Sequence, residues 1–166
     1  MTKLFQSRSV VIGSDPFSYV DQGSGPPVLF LHGALGDLRT WLPHAQALSA
    51  QFRCIAYTQR YFGTQSWQNN GPPFGVATHA DNLIALVEAL GLTPVSLVGW
   101  SYAGHVALHA ALQRPDLFAA FFMSPVSARS RWMPTSTTSS PRMLRQHSAP
   151  SSRRSDKAIS SGPRAC

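Results

Sequence analysis

The sequence predicts an α/β protein built on a mostly parallel, doubly wound sheet and followed by a disordered C-terminal tail. Three observations carry that prediction. Short apolar runs alternate with longer segments of helical period, the order expected when helices cover both faces of a parallel sheet. Residues 28–31 (Val-Leu-Phe-Leu) form an unbroken apolar run, as strands buried on both faces do. A third run, ending Ser96-Leu97-Val98-Gly99, breaks at small residues and passes straight into an alanine-rich helical pattern.

Each element follows from its residues. Residues 9–12 and 17–21 (Phe-Ser-Tyr-Val-Asp) have strand composition, and residues 23–27 form a Gly/Pro turn cluster. After residues 28–31 comes a glycine-containing loop, His32-Gly33-Ala34-Leu35-Gly36-Asp37. A helix is expected from Thr40 or Pro43 to about Ala50, burying Trp41, Leu42 and Leu48; proline is harmless in a first turn, where its missing N–H has no partner. Residues 52–57 are the next strand, and residues 58–75 a long polar and aromatic loop. Thr78 offers an N-cap, with Asp81 three residues on as a capping-box variant. Leu83, Leu86, Val87 and Leu90 then recur at helical spacing until Gly91 stops the helix. The strand before Ser101 leads into a helix to about Gln113, with Val106, Ala107, Ala110 and Ala111 on one face. Pro115 ends it, and residues 117–123 (Leu-Phe-Ala-Ala-Phe-Phe-Met) are a final buried strand. His44, His79 and His109 are expected at helix surfaces or starts.

Charge divides the chain sharply. Residues 1–128 carry six bases and six acids, whereas residues 129–166 carry eight bases against Asp156 alone, which accounts for the whole net charge of +7. The tail also holds ten serines and lacks any helical or strand period, so it cannot build a core. The expected domains are residues 1–126, folded, and residues 127–166, a Ser/Arg/Pro-rich disordered tail. Without a folded motif in that tail, no specific nucleic-acid partner is expected. No apolar run reaches the length of a membrane span, and the first eleven residues have no apolar signal core. Two cysteines, Cys54 and Cys166, make no disulfide framework, which points to the cytoplasm. No Cys-x-x-Cys or paired-histidine spacing calls for a metal, and no cofactor is implied.

The chemistry concentrates at Gly99-Trp100-Ser101-Tyr102-Ala103-Gly104. This is nearly Gly-x-Ser-x-Gly, the turn that lifts a serine hydroxyl clear of a sheet. Small residues are needed two positions either side, where the strand end meets the helix start. Ala103 replaces the usual glycine, and its methyl is expected to crowd the turn.

With the His32-Gly33 loop, the Arg60-x-x-Gly63 turn and the Arg114-Pro115-Asp116 step in the same order, residues 9–126 resemble the α/β-hydrolase fold superfamily. The likeness is to its small serine esterases, and only to the N-terminal part, as in a truncated member. The resemblance implies nucleophilic acyl transfer by Ser101 on a small-molecule acyl substrate. It implies an oxyanion hole from the backbone N–H groups of Ala34 and Tyr102, and substrate contacts from His32, Gly33 and Trp100.

A serine needs a histidine to take its proton and an acid to orient that histidine. In the family both follow the nucleophile, acid first. Here Asp116 reads as a turn residue, and the only later candidates are His147 and Asp156, in reversed order and within the tail. The expectation is a serine hydrolase of esterase type, weak or inactive as written. The alternative is a non-catalytic remnant that binds a small acyl ligand or a protein partner.

Overall fold

The computed structural model of the protein describes residues 6–67 and 70–124. The predicted tail, the domain boundary at 126, His147 and Asp156 lie outside the described residues.

A hairpin opens the chain. β1 (Arg8–Ile12) and β2 (Asp15–Gln22) pair antiparallel across a turn at Gly13, and β2 continues antiparallel onto β4 (Arg53–Tyr57). From there the sheet is parallel: β4 pairs β3 (Pro27–Leu31), β3 pairs β5 (Val95–Trp100), and β5 pairs β6 (Phe118–Ser124). The order is β1-β2-β4-β3-β5-β6. Among the described residues three α-helices cover the sheet: α1 (Leu42–Leu48), α2 (Val76–Ala89) and α3 (Tyr102–Gln113).

Side chains on a strand alternate between faces, and the central strands bury both sets. Leu29 and Leu31 of β3, with Ile55 and Tyr57 of β4, join Leu83, Leu86 and Val87 of α2 and the small Ala103, Val106, Ala107 and Ala110 of α3. Their alternates Val28, Phe30, Cys54 and Ala56 pack with Trp41 and with Ala45 of α1 on the opposite face. Register locks the layers together, since Leu29 lies opposite Ile55 on one side and Leu97 on the other. β6 departs from the buried strand expected over residues 117–123: it stands last in the order of the described sheet, so Phe122 and Met123 are more than half exposed.

One helix start agrees with the sequence reading and one differs. α1 begins at Leu42 with Pro43 in its first turn, as expected, and a 3₁₀ turn, Leu38–Trp41, precedes it, capped by the Asp37 carboxylate, which accepts the Arg39 N–H at 2.8 Å. Within α1 the buried position falls to Ala45, and Leu48 is exposed. α2 begins at Val76 after an extended Gly75, so Thr78 is already inside the helix. Its hydroxyl donates to Pro73 O at 2.8 Å, and Asp81 accepts from Gln113 Nε2 at 3.3 Å instead of closing a capping box.

Candidate active site

The strands β3, β4 and β5 all end at one rim of the sheet, and their following loops converge there, the usual place for a site in an open parallel sheet. At the end of β5 the backbone turns at Ser101, with φ +55° and ψ −122°. Few non-glycine residues adopt a positive φ, because Cβ then crowds the backbone. Among the described residues only Tyr61 shares this feature. α3 starts immediately afterwards, closed by the Gly104 N–H donating to Ser101 O at 2.9 Å. The hydroxyl of Ser101 makes no capping bond to that helix.

Ala103 does not crowd this turn. Even a Cβ placed on Gly99 would sit 3.6 Å from the Ala103 methyl, ordinary van der Waals contact. The expected crowding is absent because α3 leaves the strand end at a distance that admits one methyl. Gly104 is the tighter neighbour: a Cβ there would meet Met123 Sδ of β6 at 1.9 Å.

The loop after β3 lies against the turn. A Cβ on Gly33 would stand 3.3 Å from Ser101 Cβ and 3.3 Å from Trp100 O. Only glycine lets the loop backbone come so near without displacement. Gly36 N–H donates to Gly33 O at 3.1 Å, so residues 33–36 form a turn with Ala34 exposed within it. Trp100 is 43% exposed beside Ser101.

His32 is fully buried and points inward. Its Nδ1–H donates to Gly33 O at 2.8 Å, and its Nε2 accepts the Gln59 N–H at 2.9 Å. Gln59 returns a bond from Nε2 to His32 O at 2.7 Å. The imidazole thus pins the β3 loop to the end of β4. Burial pushes its pKa below the ordinary 6.5, opposed by the bond to Gly33 and the charge of Asp37.

The sequence reading missed a second buried histidine. His79 is fully buried in α2, not a helix-surface group. The reason is visible in the helical period: His79 stands four residues before Leu83 and seven before Leu86, on the buried stripe. Its Nδ1 lies 2.6 Å from the Tyr102 hydroxyl and its Nε2 3.1 Å from Arg60 O. Desolvation holds its pKa below 6.5. Arg60 is itself buried, donating to Asp15 at 2.8 Å and to Asn82 at 3.2 Å, with its guanidinium over the rings of Phe17, Tyr61 and Trp67. Phe62 and Phe74 complete an aromatic wall, Phe74 stacked on Tyr102 with centroids 6.0 Å apart.

A groove of about 530 Å³ opens elsewhere, lined by Ser18, Asp37, Arg39, Thr58 and Gln65 among others. It includes neither Ser101 nor Tyr102, and its Arg39 is already paired with Asp37 at 2.6 Å. Among the described residues no three His, Cys, Asp or Glu side chains gather as a metal site. No helix among them is long and apolar enough to cross a membrane.

Known proteins are similar to this chain. An epoxide hydrolase of Caballeronia sordidicola is 37% identical over 103 residues, 61% of this chain and 31% of that protein. The 2-(acetamidomethylene)succinate hydrolase of Mesorhizobium japonicum is 33% identical over 113 residues, 68% of this chain and 40% of the relative. The crystal structure of E-2-(acetamidomethylene)succinate hydrolase superposes with a TM-score of 0.65 at 31% identity, covering 71% of this chain and 43% of the other. The chain therefore spans less than half the length of these relatives. The signature described as the alpha/beta hydrolase fold matches residues 26–152, reaching past residue 126. With the strand order, the strained serine and the apposed glycine loop already in view, this chain belongs to the alpha/beta hydrolase fold family.

Proposed function

We propose that the chain carries the nucleophile and oxyanion half of a serine hydrolase of esterase type, acting on an acyl bond in the cytoplasm. The observation that carries this reading is Ser101 at φ +55° with Gly33 packed against it. In this scheme Ser101 Oγ attacks the acyl carbon. The N–H groups of Ala34 and Tyr102 then receive the oxyanion, and the positive end of α3 favours its charge. Gly33 and Trp100 border the substrate. The tetrahedral adduct collapses as the bond to the leaving alcohol breaks and the alcohol departs with a proton; water then adds to the acyl–Ser101 ester, releasing the free acid and restoring the serine hydroxyl. The relatives' names span hydrolysis of several bonds; a serine at the turn favours acyl chemistry among them. Cys54, buried and free, accords with the cytoplasmic setting.

What limits turnover is the proton. His32 and His79 have both ring nitrogens engaged in other hydrogen bonds. Neither has a lone pair to spare for the Ser101 hydroxyl, so neither of these two buried histidines supplies the base, and the reading is of a weak or inactive hydrolase. In a serine protease, loss of the triad lowers turnover about 10⁶-fold. The same observation favours a second reading, a non-catalytic remnant that binds a small acyl ligand or a protein partner.

The test exposes the full chain to a p-nitrophenyl alkylphosphonate, beside Ser101→Ala, with intact mass as the readout. One adduct per chain, absent from the variant, is expected. A folded protein that takes up no adduct overturns the acyl-transfer reading and leaves the second.

A further inference from the structure

We propose that His79 is a positioning residue for the oxyanion site, acting through Tyr102. The inference rests on the reading of Tyr102 N–H as an oxyanion donor. Arg60 O can only accept a hydrogen bond, so Nε2 of the neutral imidazole carries the hydrogen, and Nδ1 receives the Tyr102 O–H at 2.6 Å. Tyr102 is the first residue of α3, and its N–H belongs to the first turn, where no carbonyl within the helix can take it. The direction of that N–H depends on what fixes the residue bearing it.

Three things fix it. Ser101 holds it from the chain, Phe74 stacks on its ring, and His79 holds its hydroxyl. The anchor behind His79 is rigid, because the Arg60 carbonyl sits on a residue locked by Asp15 and Asn82. Asn82 stands one turn along α2 from His79, so a single helix face clamps the loop after β4 and the start of α3 together. The hydroxyl of Tyr102 is consumed in this contact, which leaves its ring as an apolar wall beside Phe62 and Phe74.

The experiment combines two readouts on the full chain: hydrogen exchange of the Tyr102 amide by NMR, and the rate of Ser101 phosphonylation. Tyr102→Phe removes the donor and keeps the imidazole. His79→Ala removes the acceptor, and His79→Asn restores one at the Nδ1 position. We expect Tyr102 amide exchange and imidazole ¹⁵N shifts to change in Tyr102→Phe. Phosphonylation should slow about tenfold in both Tyr102→Phe and His79→Ala and recover in His79→Asn. The double variant should lose no more than either single change, as residues acting through one contact do. An unchanged Tyr102 amide in Tyr102→Phe, or a wild-type His79 protonated at Nδ1 and not Nε2, overturns the proposal even if His79→Ala fails to fold. Wild-type protein that never labels, while the amide still responds, overturns the hydrolase reading and leaves the contact established.

Discussion

Ser101→Gly should stabilise the protein while removing the proposed nucleophile. At φ +55° and ψ −122° the Cβ of Ser101 is held in a sparsely populated region, where a non-glycine residue costs about 1–3 kcal/mol. Glycine removes that cost but gives back about 0.5–1 kcal/mol in chain entropy. The net gain is about 1 kcal/mol, a rise of roughly 3–5 °C in melting temperature for a domain of this size. Ser101→Ala is the control. It keeps Cβ, and because the hydroxyl makes no capping bond to α3, its removal should shift the melt little. Thermal and urea melts followed by far-UV circular dichroism read the difference directly. If Ser101→Gly proves no more stable than Ser101→Ala, the serine is not strained, and the claim that the backbone is bent to present it fails.

Other perturbations have equally definite signs. Arg60→Met should cost about 3 kcal/mol, because it strips the partner from Asp15 and Asn82 inside an aromatic shell; urea midpoints read it, and a loss under 1 kcal/mol would mean the pair is not structural. Gly23→Ala should cost roughly 3 kcal/mol or more: φ is +84°, and a Cβ would lie 2.3 Å from Phe52 O and 2.4 Å from Ser49 O, both backbone. A soluble variant with a near-native melt would refute it. Stability should also fall in mild acid. His32 and His79 have folded pKa values held below the 6.5 of the unfolded chain, chiefly by burial. Below pH 6.5 the unfolded state therefore binds more protons, and stability declines until the depressed folded values are reached. Melting temperatures that stay level from pH 7.5 to 5 would contradict this.

Much of this was legible from residue order alone. Residues 28–31 announced a strand buried on both faces because period-2 alternation has nothing polar to turn outward there. The small residues around Ser101 announced a tight turn because only they fit where β5 meets α3. Helix starts were less legible. The Thr78 side chain could cap or could bond back to a carbonyl, and the choice was made by Pro73, a residue whose approach depends on tertiary structure. His79 was misassigned for a related reason. Its position on the apolar stripe was readable, but its partners Tyr102 and Arg60 come from other elements, 23 and 19 residues away in sequence.

The two buried histidines show how a site can be built from groups that resemble its chemistry without performing it. Each is an imidazole close to the nucleophile's turn, and each has spent both nitrogens on backbone or phenol. A catalytic base must have a lone pair free at the substrate side and a pKa near the working pH. Their hydrogen bonds deny His32 and His79 the free lone pair, and burial holds both pKa values below 6.5. The same features make them good fasteners: a neutral ring with one donor and one acceptor bridges two loops without leaving a charge in the core. His32 ties the β3 loop to β4, and His79 ties α3 to the loop after β4. Between them they fix the two backbone segments that carry Ala34 N–H and Tyr102 N–H. Rigid donors cost no reorganisation when charge develops; on the proposed reading, therefore, two histidines with no lone pair for the serine's proton still govern how well its oxyanion is received.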